Sequence, residues 1–306
     1  MQQALARMTP EQLAVIQAVH ETGRSLTVQS TAGSGKSTVL RTVAQVLPAG
    51  LRIGAFALNK SIAKSLKDAL PSDVQVSPFH AFGKMMVEEC SPRKATFSEW
   101  KRKHLVDSLR KERGLYSKGV AKTALALVKL SMAHIANTSA AIEGLVSEHE
   151  MEWPAGLNPV ELVRLVQDRA LSDVLERGHS DDDMLYLPLK LGYGFESMDV
   201  VLVEETQDFF RLQHRLVKHV TSRRGRVVLV GDRAQAICKF TGADAEGLDW
   251  AQETFNALSL RLTVTFRCPR SHVALVSEFS DLIVTAPHAA EGEVKTVSED
   301  ELLSEL

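Results

Sequence analysis

The chain has 306 residues, of which 44% are hydrophobic and 24% charged, with a formal net charge of −2 and three cysteines. This balance excludes a disordered or fibrous polymer, and the length allows one large or two medium domains. There is no apolar run of membrane-spanning length and no basic leader followed by an apolar core. Cys90, Cys238 and Cys268 are spaced for neither a metal site nor a disulfide framework, so a reducing, cytoplasmic setting is predicted without membrane partners.

In chain order, residues 9–22 read as a helix, with Thr9 as cap, Pro10 at the first position and Leu13, Ile16 and Val19 as an apolar stripe. A short β run, Leu26 to Val28, enters a Gly-rich turn, and helical spacing returns from Ser37 to Val46. Arg52 to Leu58 reads as a buried strand, Lys60 to Leu70 as a helix stopped by Pro71, and Val74 to Val76 as a third strand. This alternation predicts a parallel sheet covered by helices. From Phe97 to Arg177 the pattern turns helical, with segments His104–Leu115, Val120–Ala136 and Pro159–Leu175. Short β-branched runs resume at Val200–Val203, Val227–Val230 and Leu258–Leu262, as strands buried on both faces require. The expectation is an α/β domain over 1–96 and 180–285, interrupted by an all-α insertion at 97–179. The basic stretches around Lys101–His104 and Arg110–Arg113 read as a solvated helix face.

Three stretches point to chemistry. Ser30-Thr31-Ala32-Gly33-Ser34-Gly35-Lys36-Ser37-Thr38 lies between a strand and a helix. Gly33 and Gly35 let backbone N–H groups curl around phosphate oxygens, and the helix adds its positive end. Lys36 is expected to reach the outer phosphates and the Ser37 hydroxyl to bind Mg²⁺. Glu204 and Glu205 follow the run Val200–Val203, where carboxylates face a crevice at the strand's carboxyl end. Glu204 is expected to hold the Mg²⁺ shell and Glu205 to activate a water as general base. Gln235, just past Val227–Val230, is placed to sense a γ-phosphate.

In order, these stretches resemble the motif set of superfamily 1 DNA helicases of the UvrD/Rep type, over roughly residues 9–270. Thr9-Pro10-Glu11-Gln12 is similar to the adenine-reading motif, with Gln12 at the base edge. Phe56 to Ala63 and Ser77 to Gly83 resemble the two early DNA-contact motifs, which implies DNA contacts at Asn59, Lys60, Phe79 and His80. Asn59-Lys60-Ser61-Ile62-Ala63 is most like the F-box DNA helicase branch. Glu204 to Asp208 resembles D-E-x-Q-D. Gly231 to Asp244 resembles G-D-x-x-Q-x-I-Y-x-F-R-G-A-D, with Phe240 as a base-stacking candidate. Thr265-Phe266-Arg267-Cys268-Pro269 resembles N-Y-R-C-P and implies that Arg267 is an arginine finger. The resemblance implies a RecA-like P-loop NTPase fold, ATP and Mg²⁺ as cofactors, and single-stranded DNA or a single-strand/duplex junction as partner. It also implies a location at the nucleoid, or in a host cell's cytoplasm for a viral protein.

Three departures stand out. Ser30 replaces a small Gly or Ala. Glu204 replaces Asp and extends its carboxylate by about 1.5 Å, which predicts slower hydrolysis than Asp would give. Pro78, Ala81 and Cys238 alter the DNA-facing motifs. Residues 286–306 read as the start of a connection to a missing second motor lobe, which other proteins or a longer chain would supply, so this chain alone is expected to hydrolyse ATP weakly or not at all. Two readings stand: an ATP-driven translocase on single-stranded DNA, and a nucleotide-dependent DNA-binding or regulatory module. A P-loop kinase has no use for the set of Gln12, Gln235 and Arg267.

Overall fold

The computed structural model describes residues 5–90, 100–112, 114, 118–153, 158–177, 183–236, 247–278 and 282–297. Among these, helix α1 (Pro10–Thr22) leads into β1 (Leu26–Ser30), α2 (Lys36–Val46), β2 (Ile53–Ala57), α3 (Lys60–Ala69) and β3 (Gln75–Pro78). Helices then follow without a strand: α4 (Phe79–Cys90), α5 (Lys101–Glu112), α6 (Lys118–Ala133), α7 (Ser139–Glu148), α8 (Pro159–Arg177) and α9 (Asp183–Lys190). The alternation resumes with β4 (Met198–Val203), α10 (Arg211–Val220), β5 (Thr221–Gly231), α11 (Gly247–Thr254) and β6 (Leu258–Leu262). A short pair, β7 (Val264–Thr265) and β8 (Val284–Thr285), flanks α12 (Arg270–Val276).

The large sheet runs β3-β2-β4-β5-β1-β6, and every neighbouring pair is parallel. The predicted α/β architecture is therefore observed, with helices packed on both faces. Sequence explains why. In β4, Val201 and Val203 face one core while Val200 and Leu202 face the other. In β5, Val227 and Leu229 alternate with Val228 and Val230 in the same way. Period-two alternation with apolar residues at every position puts a strand in the middle of the sheet. The first helix is set locally. Thr9 and Gln12 form a capping box, Pro10 starts the helix, and Gly23 ends it at φ 62°.

One core continues from the sheet through Phe56, Phe79, Phe82 and Met86 to Leu105, Leu127 and Val163 of the helical segment. The Phe79 ring lies 5.5 Å from Phe56 and 4.9 Å from Phe209, and Phe82 meets Phe56 and Phe195 at 4.6 Å each. This corrects one expectation. Phe79 is 1% exposed, so its ring is a core anchor and presents no face to a DNA base. Phe79 opens α4, and its side chain lies on the face of that first turn that packs into the core. We expect Phe79→Leu to cost about 1–2 kcal/mol in denaturant unfolding. The solvated basic face is corrected at one position: Lys103 and His104 are exposed, but Arg102 is only 2% exposed. Helices α4, α9, α10, α11 and α12 had no sequence expectation, and α7 falls within the expected all-α insertion without having been delimited.

Candidate functional site

All six large-sheet strands are parallel, so the segments following their carboxyl ends gather at one edge. Those segments are the loop after β1, Asn59 after β2, His80 after β3, Glu204 after β4, Asp232 after β5 and Thr263 after β6.

The loop after β1 is a cradle with no room for side chains at two points. Gly33 (φ 71°) and Gly35 (φ 81°) adopt left-handed conformations that disfavour a Cβ. A Cβ on Gly33 would fall 2.4 Å from Arg267 Cβ, and one on Gly35 would fall 2.8 Å from Gln12 Nε2. The Ser30 hydroxyl donates to Gly231 O at 2.9 Å, so the unusual Ser pins the loop's origin to the end of β5. Thr31 N donates to Leu262 O at 3.0 Å on the other flank. The Ser34 hydroxyl is buried with no partner among the described residues. Ala32 lies half-buried between them, and Ser37 and Thr38 open to solvent at the first turn of α2.

Across from this cradle stand the two acids. Ser37 Oγ donates to Glu204 Oε1 at 2.9 Å, a contact spanning 167 positions of chain. Lys36 Nζ lies 3.3 Å from Glu205 Oε1. Burial pushes the Glu204 carboxyl above its ordinary range, and the neighbouring Glu205 charge adds to this, while the Ser37 hydrogen bond and Lys36 oppose it. Glu205 sits at φ 58°, an uncommon conformation for a non-glycine residue, held at the start of a 3₁₀ turn (Thr206–Asp208).

The donor set fits a triphosphate with Mg²⁺. Ser37 and Glu204 offer hard oxygens, Lys36 offers a cation, and the glycine cradle with its unpartnered Ser34 hydroxyl offers space and a donor.

A hydrogen-bonded chain joins the acids to the turn after β5. Gln207 Nε2 donates to Glu205 Oε2 at 2.8 Å, and Asp232 N donates to Gln207 Oε1 at 2.9 Å. Gln235 Nε2 in turn donates to the Asp232 carboxylate. Gln207 was not among the expected site residues. Its signal was the offset of two positions from Glu205, with Gly231 opposite, where a Cβ would sit 2.9 Å from Gln207 Oε1.

The remaining expected residues fall as follows. The Gln12 amide accepts from Thr9 N and donates to Ser34 O at 2.9 Å, so it supports the phosphate loop directly. Arg267 is exposed, with its Cβ against Gly33, while Phe266 N donates to Gly33 O at 2.9 Å. Asn59 caps α3 by accepting from Ile62 N, and Lys60 and His80 are exposed at the same sheet edge. Phe240 and Cys238 lie outside the described residues.

A cavity of about 760 Å³ lies away from the phosphate loop. It opens between α10, α11 and the turn after α6, where Arg211, Arg215 and Lys218 share one helix face with Trp250 opposite. The Arg215 guanidinium lies 5.6 Å from the Trp250 ring centre. Asp249 on the same wall is paired with Arg233 of the turn that carries Gln235. The signal of this basic face in the sequence is the spacing of four and then three positions between Arg211, Arg215 and Lys218.

Among the described residues, no helix is long and apolar enough to cross a membrane. The chain is 33% identical over 67 residues to DNA helicase II of Haemophilus influenzae (strain ATCC 51907 / DSM 11121 / KW20 / Rd). That match covers 22% of this chain and 9% of the relative's length. The sequence profile of the AAA domain family matches residues 11–241, a stretch that runs from the capping box of α1 to beyond the turn of Gln235. A match over three quarters of the chain, on a sheet whose edge gathers the loop and the acids, makes this chain a member of the AAA domain family.

Proposed function

We propose that this chain is the ATP-binding and ATP-hydrolysing part of a motor that moves on single-stranded DNA. The carrying observation is the meeting of Lys36 with Glu205 and of Ser37 with Glu204 across the same crevice. The similarity to a DNA helicase II supports nucleic acid as the partner, and the Asn59–Ala63 stretch supports a place near the F-box helicase branch. Residues 97–179 would then be an inserted helical unit between motor halves 1–96 and 180–285.

In this reading, ATP is the substrate. The N–H groups around Gly33 and Gly35 cradle its phosphates, and Lys36 leaves Glu205 to meet them. Ser37 and Glu204 would hold Mg²⁺, which when bound supplies charge neutralisation on the phosphoryl oxygens. Glu205, freed from Lys36 but still held by Gln207, orients the attacking water and accepts its proton. Gln235 and Arg267 flank the position of the γ-phosphate. Loss of that group is relayed through Asp232 and Gln207. Gln12 keeps one amide N–H for a base edge. Asn59, Lys60 and His80 line the sheet edge as DNA contacts, with Phe240 as the stacking candidate.

The basic wall of α10 extends the nucleic-acid path. A double charge reversal, Arg215→Glu with Lys218→Glu, is expected to lower the slope of log affinity for single-stranded DNA against log salt by about 1–2. Unchanged slope in fluorescence-anisotropy titrations would remove this face from the path.

The test of the main reading measures ATP turnover and ATPγS binding with and without single-stranded DNA. DNA-stimulated turnover, weak in this chain alone and strong once a second motor lobe is supplied, is the expected result. Nucleotide-dependent DNA binding without turnover in either form favours the alternative, a regulatory module. No nucleotide binding at all sinks both.

A further inference from the structure

Two consecutive side chains at the start of α1 reach the two halves of the site. Gln12 Nε2 donates to Ser34 O in the phosphate loop at 2.9 Å. Glu11, one position earlier, accepts twice from Thr263: from its backbone N at 2.6 Å and from its hydroxyl at 2.8 Å, across 252 positions of chain. Thr263 is the single residue between β6 and β7, and its carbonyl accepts from Val284 N at 2.9 Å. It is therefore the junction from which the Arg267 loop departs.

The loop beyond this junction is built tightly. Thr265 is fully buried, and its hydroxyl accepts from Arg267 N at 3.3 Å and from Cys268 N at 3.2 Å. Phe266 N donates to Gly33 O, and Arg267 Cβ packs where a Gly33 side chain would be. The Arg267 side chain is exposed beside the tip of the phosphate cradle. Its cation is thus carried on a loop whose root is gripped by one carboxylate.

Helix formation does not require this grip. The N-terminus of α1 already has its cap from Thr9 and Gln12. An acid in the first turn gains from the helix dipole in any orientation, but two donors from one residue fix its direction.

We propose that Glu11 is a positioning residue: by clamping Thr263 to α1 it holds the Arg267 loop against Gly33 and gives the site its preference for a nucleoside triphosphate over a diphosphate. This rests on the reading of the crevice as an ATP site. The cradle from Gly33 to Lys36 serves the phosphates that both nucleotides share. The Arg267 cation meets only the third. Loosening Thr263 therefore weakens triphosphate binding selectively.

The experiment titrates the full chain with ATPγS and with ADP. Glu11→Ala is expected to weaken ATPγS by about tenfold and ADP by less than about twofold. Glu11→Gln, which keeps an acceptor for Thr263 N and offers an N–H to the Thr263 hydroxyl, is expected to restore most of the difference. Arg267→Ala is expected to show the same selective loss, with little further loss on adding Glu11→Ala, since both act through one contact. Equal weakening of the two nucleotides by Glu11→Ala would mark a merely structural role and overturn the proposal. So would an unchanged ADP-to-ATPγS ratio. A wild-type chain that binds neither nucleotide overturns the underlying ATP-site reading instead.

Discussion

Glu205→Gln is expected to slow ATP hydrolysis by about 10²–10⁴-fold while ATP binding holds or tightens. The substitution preserves shape. Gln207 can still hydrogen-bond the side chain at position 205, so the left-handed turn and the link to Asp232 persist. What vanishes is the negative charge that accepts a proton from water. The same charge holds Lys36 at 3.3 Å before nucleotide arrives. Its removal frees Lys36 for phosphate, so affinity does not fall. Single-turnover phosphate release, read beside an ATPγS titration, checks both halves. Wild-type hydrolysis in the Gln variant would leave another group as the base.

Lys36→Ala is expected to do the opposite to binding, lowering ATP affinity by about a hundredfold. A charge-assisted contact is worth about 1.5–3 kcal/mol, and each 1.4 kcal/mol is about a factor of ten. The side chain is nearly buried, at 10% exposure, so water does not replace the lost cation well. The loss also leaves Glu204 and Glu205 facing each other with less opposing charge. Lys36 is one of the groups that hold the Glu204 carboxyl down, so that carboxyl rises further above its ordinary range. Isothermal titration with ATPγS reads the effect, and Lys36→Met controls for the lost packing of the aliphatic stem. Retained affinity in both variants would dismiss the phosphate cradle. The two members of one ion pair thus give opposite binding results, which a general loss of folding cannot mimic.

The candidate site was legible in the sequence as a set of local patterns. The glycines of the phosphate loop, Lys36, Ser37 and the acids after Val203 were read from local pattern. The reason is that each sits at a strand-to-loop boundary, which short-range periodicity marks well. The strands of the sheet were legible for the same reason, because alternation with apolar residues at both parities leaves few alternatives to a central position. Phe79 was misread because its motif carries no information on which side of the next helical turn faces the core. Ser30 looked like a departure from pattern, yet it makes a buried bond to Gly231 that spelling alone could not supply.

By itself, then, the sequence determined the class of fold, the glycine loop after β1 and the acids at the end of β4, since these follow from backbone preference and burial over a few residues. The tertiary structure alone decided which partners those residues take: Gln12 with Ser34, Gln207 between Glu205 and Asp232, and Glu11 with Thr263. Gln12 and Ser34, Gln207 and Asp232, and Glu11 and Thr263 lie 22, 25 and 252 positions apart. Their geometry is set by the order of a parallel sheet, which no local window of residues contains.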